Sequence, residues 1–561
     1  MALLSRGSSG SEVSKLQAKL TKLGFLSSAP SGTFDTATES AVKSFQTQRP
    51  LLLIDGVVGP MTLGEIDDSI LDIDGKVALE KIANGSASLS LDELKKNRVL
   101  SIRVQKQLRA LGLYPGGKLI DGDFGSRSQE ALKRFCNELG ISVAVPIQLT
   151  PDIAQKLRDT LHIPSLIKNF SKTTVKSQIA NFQKTVDAND AKLGFLDMGA
   201  AQSPFKQYVY QYPQLFEQTQ SAGINTSSPP SLTFSSYPDI GKLPVIDTTK
   251  LSFLDTDITK DDPDITYITE ACICLGNFEG GNFTSSWLGK NAFNPVECLS
   301  ATKIIPILNV LSQLGNNIPS NPNNLILKNQ GSEARKFELP SALIDICSYR
   351  IDVPHSNALS ATLNSFEDNR EAWIKQQTGN SKAIKFGGKY GIEPTILVPE
   401  LRDKSTKQPL LKHKESAVGG NDISVYDLTR FMSLAGWHLV LSNAQKLPNI
   451  TQQGLNLAII AMGTDTARYV DTAISTLGLE NVVDSPIVIS KLGYGNSALI
   501  YTAFVQFIDR HDPSSAPKLR SFALTLRAAK SSSTNAEAIR VDSSIALAVT
   551  EIIHRIVTET F

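Results

Sequence analysis

The chain has 561 residues, of which 41% are hydrophobic and 20% charged, ordinary proportions for a folded protein of several domains. Its 56 basic and 55 acidic residues nearly cancel, which removes any electrostatic argument for nucleic acid or an anionic membrane as partner. No stretch approaches the roughly 20 apolar residues that span a bilayer. Residues 1–6, Met-Ala-Leu-Leu-Ser-Arg, carry no apolar run of secretory-signal length, leaving export without such a signal, or a start that has been removed or mis-assigned. Five cysteines (Cys136, Cys272, Cys274, Cys298, Cys347) are scattered without a CxxC pair, and six histidines without HExxH spacing. The expectation is buried thiols, with no disulfide framework, no metal site and no cofactor.

Taken in chain order, the first 160 residues hold a repeat. Unit one places Val13, Leu16, Leu20 and Leu23, then Ala41, Val42 and Phe45, at helical spacing. Glycine turns separate them: Gly32-Thr-Phe34-Asp35, and Asp55-Gly-Val-Val-Gly59-Pro60. Unit two repeats the grammar with Val104-Gln105, Leu108, Leu111-Gly112, Asp121-Gly-Asp123-Phe124-Gly125, Ala131-Leu132 and Phe135, while its tail, Pro146 to Ala154, departs from the first. The spacing predicts two small three-helix modules, over 1–70 and 95–162, with Asp35, Asp55 and Asp123 as turn and cap residues.

Both modules resemble the peptidoglycan-binding domain found on many wall hydrolases. That resemblance implies a shallow groove for glycan-peptide, peptidoglycan as partner, and the periplasm or cell wall as location. A helical spacer or protein-binding pair without wall affinity is the other reading of the same pattern.

Residues 163–262 carry no motif. Helical spacing recurs at Val175–Val186 and Tyr208–Gln218, between Ser- and Pro-rich segments such as Ser227–Ser231, and the prediction is a partly ordered connector.

Chemistry concentrates after residue 263. Ser300 opens an apolar helical run through Leu311, with Lys303 one turn on. Residues i and i+3 share a helix face, a serine hydroxyl needs a neighbouring base to become a nucleophile, and burial disfavours the charged form of a lysine. Pro306 is expected to kink the helix. The SxxK pattern alone is weak, since Ser165 and Ser515 begin it too, and a plain helix cap is the simpler reading of Ser300. Further on, Pro486–Lys491 and Ala498–Ile508 read as paired strands about the turn after Lys491-Leu492-Gly493-Tyr494. Lys491 on a strand edge would hold a substrate carboxylate or be a solvated charge. Gly493 would admit a substrate backbone, and the N–H groups of Tyr494 and Ser300 could form an oxyanion hole. Phe522–Arg527 predicts another strand, and Val541–Val557 an amphipathic helix.

This order, a nucleophile helix, then helices, strands and a terminal helix, resembles the β-lactamase and penicillin-binding-protein superfamily over roughly residues 263–561. It implies an α+β domain, an antiparallel sheet flanked by helices beside a helical lobe. The segment Ile423–Met432 resembles the helix preceding the KxG strand. The family's middle SxN element falls best on His355-Ser356-Asn357, with Asn357 as the asparagine and the proton relay on His355 or Ser356. Leu492 stands where the family offers a hydroxyl to substrate. For the family's deacylating glutamate, Val398-Pro-Glu400-Leu matches the second half of the segment but puts Val398 at the base position, and Glu393-Pro394 offers another match. The resemblance implies a DD-carboxypeptidase or endopeptidase acting on wall peptide; a β-lactamase and a wall-binding scaffold without activity are the alternatives.

Overall fold

Two buried glutamines organise the N-terminal modules in the same way. The computed structural model describes residues 3–49, 51–115, 119–143, 145–170, 179–183, 193–222, 229, 231–255 and 268–561. In the first module, helices α1 (Ser11–Lys22) and α2 (Thr36–Gln46) bury Val13, Leu16, Leu20, Val42 and Phe45 around Phe34. Gln17 Nε2 donates to the Thr33 carbonyl at 2.9 Å and to Thr38 Oγ1 at 3.0 Å, and its Oε1 accepts the Gly32 N–H at 2.9 Å. Gln105 does the same in the second module, donating to the Asp123 carbonyl and Ser128 Oγ and accepting from Gly122, at 2.9, 3.1 and 2.9 Å. Gly32 and Gly122 both have φ near +75° (+74° and +79°), a region open mainly to glycine. Asp35 caps α2 through the Thr38 N–H, and Asp55 closes its own turn through the Val57 N–H. In the second module the turn at Gly122 is closed by Asp121, which accepts the Asp123 N–H, and not by the Asp123 side chain.

The third helix, α3 (Pro60–Ala83), runs past residue 70. Ile66 packs into the first core and Leu79 into the second. That second core is completed by α4 (Arg98–Ala110), α5 (Ser126–Glu138) and α6 (Pro151–Asp159). The modules open and close alike: a bridge joins Leu4 to Val58 in one and Leu89 to Leu149 in the other, each just before a helix with proline in its first turn. Residues 1–172, 204–210 and 474–482 form one compact unit. Within it Arg109 grips Glu480 through two hydrogen bonds of 2.8 and 2.9 Å.

The second compact unit holds the remainder of the chain and is an α+β domain. Its main sheet begins with a hairpin, β1 (Glu270–Glu279) and β2 (Asn282–Lys290), turned by Gly280-Gly281 with both φ positive, the conformation a tight hairpin turn needs. The chain then leaves to build helices. These include α7 (Ile304–Leu314), α8 (Leu339–Ser348), α9 (Val353–Asn364), α10 (Val425–Gly436) and α11 (Gln452–Gly463). It returns as β3 (Val483–Tyr494), β4 (Ala498–Asp509) and β5 (Lys518–Ala529), giving the antiparallel order β2-β1-β5-β4-β3, with two short segments, Ser235–Ser236 and Ile246–Asp247, also paired to β2 to make seven strands. The last helix, α12 (Asn535–Thr558), begins six residues before the predicted start and packs on β4 and β5.

Two expectations change. All of α10 is buried between sheet and lobe, and α11 and Tyr469–Thr476 intervene before the KxG strand. Pro306 is the third residue of α7, where its missing N–H has no intrahelical acceptor to lose. All five cysteines are buried and free. Part of the connector is ordered: Tyr212–Ser221 is helical, and the Phe195 and Leu196 N–H groups donate to buried Asp542 at 3.1 and 3.0 Å. The expected segments Val175–Val186 and Ser227–Ser231 lie largely outside the described residues. Among those residues, no helix is long and apolar enough to cross a membrane.

Candidate active site

The candidate nucleophile sits on a strained turn. Leu299–Lys303 forms a 3₁₀ turn ahead of α7, and Leu299, a non-glycine residue, has φ +50°, a backbone state that must be held by its surroundings. Ser300 is half-buried there, and Lys303, one turn on, is fully buried. Strand β3 presses against this turn. A Cβ on Gly493 would lie 2.6 Å from the Cys298 carbonyl oxygen and 2.8 Å from the Ala301 nitrogen. The close approach that demands glycine is therefore the protein's own turn around Ser300, where a substrate backbone had been expected.

Lys303 Nζ donates to Ser356 Oγ at 2.8 Å and to Asn357 Oδ1 at 2.7 Å. The direction is fixed by the second layer. Ser356 Oγ donates to the Ile346 carbonyl at 2.8 Å, and Asn357 Nδ2 to the Tyr390 carbonyl at 3.1 Å, so both groups can only accept from the amine. A neutral amine has two N–H bonds and one lone pair; both N–H bonds are used, and the lone pair remains. Burial, and next the positive charge of Lys491, push Lys303 well below the usual lysine value.

Lys491 lies on β3, the edge strand of the main sheet, but it is fully buried rather than solvated. It donates to Tyr349 Oη at 2.8 Å and stands 3.6 Å from Asp465 Oδ1. Burial pulls its pKa down, but the facing Tyr349, Asp465 and Cys347 outweigh that, and the net displacement is upward. Tyr349 was not singled out in the sequence. It is the left-handed C-cap of α8, φ +51°, and its ring lies 4.2 Å from Lys491 Nζ and 4.9 Å from Lys303 Nζ. One phenol thus bridges the two lysines.

His355 does not join them. Asp352 caps α9, so residues 355, 356 and 357 are successive helical positions pointing in different directions. Ser356 and Asn357 face Lys303, whereas His355 Nε2 lies 3.8 Å from Asp345 and its ring 5.7 Å from Phe337. Tyr494 ends β3 partly exposed at 38%, its Oη 3.4 Å from Lys530 Nζ. Glu393 is on the surface beside Lys389, and Glu400 lies within a short strand paired to Arg402 at 2.9 Å. The hydroxyl nearest the turn from that side is Tyr390, 3.0 Å from Thr302 Oγ1. Among the described residues no cluster of acidic, histidine and cysteine side chains is placed to hold a metal.

Comparison with known proteins places residues 9–66 in a family model described as a putative peptidoglycan binding domain. A probable N-acetylmuramoyl-L-alanine amidase of Bacillus licheniformis is 33% identical over 141 residues, 24% of this chain and 38% of the relative's own length. An N-acetylmuramoyl-L-alanine amidase of Mycobacterium tuberculosis is 27% identical over 146 residues, again 24% of this chain and 33% of the relative. The chain thus spans well under half of these relatives. Among solved structures, an acyl-enzyme complex of PBP-A with penicillin G matches 56% of this chain and 99% of its own, at 9% identity and TM-score 0.33.

Proposed function

We propose that this is a wall-anchored serine hydrolase that cleaves an amide in cell-wall peptide, by way of an acyl-enzyme on Ser300. The observation that carries this reading is the bonding of Lys303, a buried amine whose two hydrogen-bond partners can only accept from it, three residues from the hydroxyl it would deprotonate. Ser300 Oγ attacks the carbonyl carbon as its proton passes to Lys303. The carbonyl π pair moves to oxygen, facing the Ser300 and Tyr494 N–H groups. On collapse the C–N bond breaks, and the leaving amine takes its proton through the Tyr349 hydroxyl, which Lys491 recharges. Water then attacks the acyl carbon, its proton passing through Tyr349 back to Lys491, and Ser300 Oγ leaves with the proton held by Lys303, freeing the acid. Asn357 and Ser356 orient Lys303. The modules raise the local concentration of polymeric substrate, as tethering does generally.

Rapid β-lactam turnover fits less well, because one register of the deacylating segment puts Val398 at the base position and the other offers Glu393, an exposed carboxylate paired with Lys389. Incubation with muropeptides, followed by mass spectrometry, tests the reading. The wild type should release a terminal residue or split a cross-link, and Ser300→Ala should not. Absence of both cleavage and a fluorescent-penicillin adduct in the wild type would leave only the wall-binding scaffold.

A further inference from the structure

Behind Lys491 stands an acid that belongs to no sequence motif. Asp465, in the turn after α11, is fully buried. Its Oδ2 accepts the Ser490 hydroxyl at 2.8 Å, while Oδ1, 3.6 Å from Lys491 Nζ, has no hydrogen-bond donor. A buried carboxylate is tolerated when a cation faces it. The other cation of that loop, Arg468, is already paired with Asp471 at 2.6 Å.

Charge balance then becomes a counting argument. Two buried lysines flank one phenol, and one carboxylate faces them. It faces Lys491, whereas the partners of Lys303 are a hydroxyl and an amide. We propose that Asp465 is a positioning residue of the acyl-transfer site: it fixes Lys491 as the charged member of the lysine pair and so leaves Lys303 as the neutral one. This assignment rests on the serine hydrolase reading for its catalytic meaning, but its electrostatic content is independent of it. The titratable neighbours are Tyr349 and Cys347 from α8 and its cap, Lys303 from the nucleophile turn, Arg468 from the loop of Asp465, and Tyr501 from β4. The displacements run in opposite directions, Lys491 upward, against burial, through Tyr349 and then Asp465, and Lys303 downward through burial, while burial raises the carboxyl of Asp465 against the pull of Lys491.

The connector takes part. The Gly199 N–H donates to the Thr466 carbonyl at 2.7 Å, and the Phe195 carbonyl accepts the Arg468 N–H at 3.1 Å, so residues 195–199 brace the loop that presents Asp465.

The test is a pH titration of lysine ¹³Cε resonances in the full chain, with fluorescent-penicillin acylation rates measured alongside. In Asp465→Asn the Lys491 midpoint should fall by about one to three pH units, and acylation should slow at least ~10-fold, the equivalent of one unit lost from the pair. Ser490→Ala, which removes the hydroxyl donor to Asp465 along with a contact to Tyr501, should shift Lys491 the same way by less; it serves if Asp465→Asn does not fold. Asp465→Glu should restore part of both effects. An unchanged Lys491 midpoint in Asp465→Asn and Ser490→Ala overturns the proposal, even if the wild type forms a Ser300-dependent adduct. A lowered midpoint in a wild-type background that forms no adduct upholds the electrostatic assignment and defeats the acyl-transfer reading instead.

Discussion

Tyr349 accepts a 2.8 Å hydrogen bond from Lys491 while its ring lies 4.9 Å from Lys303, so one side chain lies against both amines with its hydroxyl bonded to Lys491. Tyr349→Phe keeps the ring and removes the connection. Proton relays contribute about 10²–10⁴-fold, and acylation by a fluorescent penicillin should slow by that order. His355→Ala, altering a side chain turned toward Asp345 and away from Lys303, should leave the rate nearly unchanged. A histidine variant as damaged as the tyrosine variant would return the relay to His355.

The acylation rate should rise with pH. Lys303 acts as a base only when neutral, and its pKa lies below the ordinary lysine value because of burial and then the Lys491 charge. Activity is therefore present above that lowered value and lost as pH falls through it. Measuring acylation from pH 5 to 10 locates the ascending limb. A limb at the ordinary lysine value would show that the amine is not held neutral.

Gly493→Ala places a Cβ 2.6 Å and 2.8 Å from two backbone atoms of the nucleophile turn. Neither atom can swing aside, and overpacking of this kind costs about 1–3 kcal/mol. Gly495→Ala meets only the Leu299 side chain, at 3.0 Å. Thermal unfolding and adduct formation should both suffer in the first variant and barely change in the second. Equal tolerance would mean that β3 does not seat the turn.

Asp542 supplies a stability test. Burial lifts its carboxyl to about 7 from 3.8, against the donors Tyr469, Phe195 and Leu196. The folded chain thus keeps a proton that the unfolded chain has released. The associated stability is complete below pH ~4 and disappears as pH climbs through ~7. Between pH 5 and 8 the unfolding midpoint of the wild type should drop by a few °C more than that of Asp542→Asn, since ~1 kcal/mol corresponds to ~2–4 °C in a domain of 150–250 residues. Parallel curves would show that Asp542 does not titrate there.

Much of this architecture was legible because it is local. Helical spacing at Val13, Leu16 and Leu20 and at Val104 and Leu108 gave the module helices, and the apolar runs around Lys491 gave a hairpin. What escaped is held by distant contacts. Tyr349 meets Lys491 across 142 residues, and Lys303 meets Ser356 across 53. Whether His355 or Ser356 faces the lysine depends on where α9 begins, which Asp352 sets through its cap. The β1–β2 hairpin left a signal that went unread, the Gly280-Gly281 pair between alternating apolar segments.

The 24 residues of α3 amount to a rod of about 36 Å, at ~1.5 Å per residue, and each end of it is indispensable to a different module. Neither module can swivel on its own, so two grooves on them would read a polymer at one fixed pitch, like notches on a ruler. Shortening the protein at residue 70 would saw through that rod and strip Leu79 from the second core. A useful deletion must start beyond Ala83 or keep the helix whole.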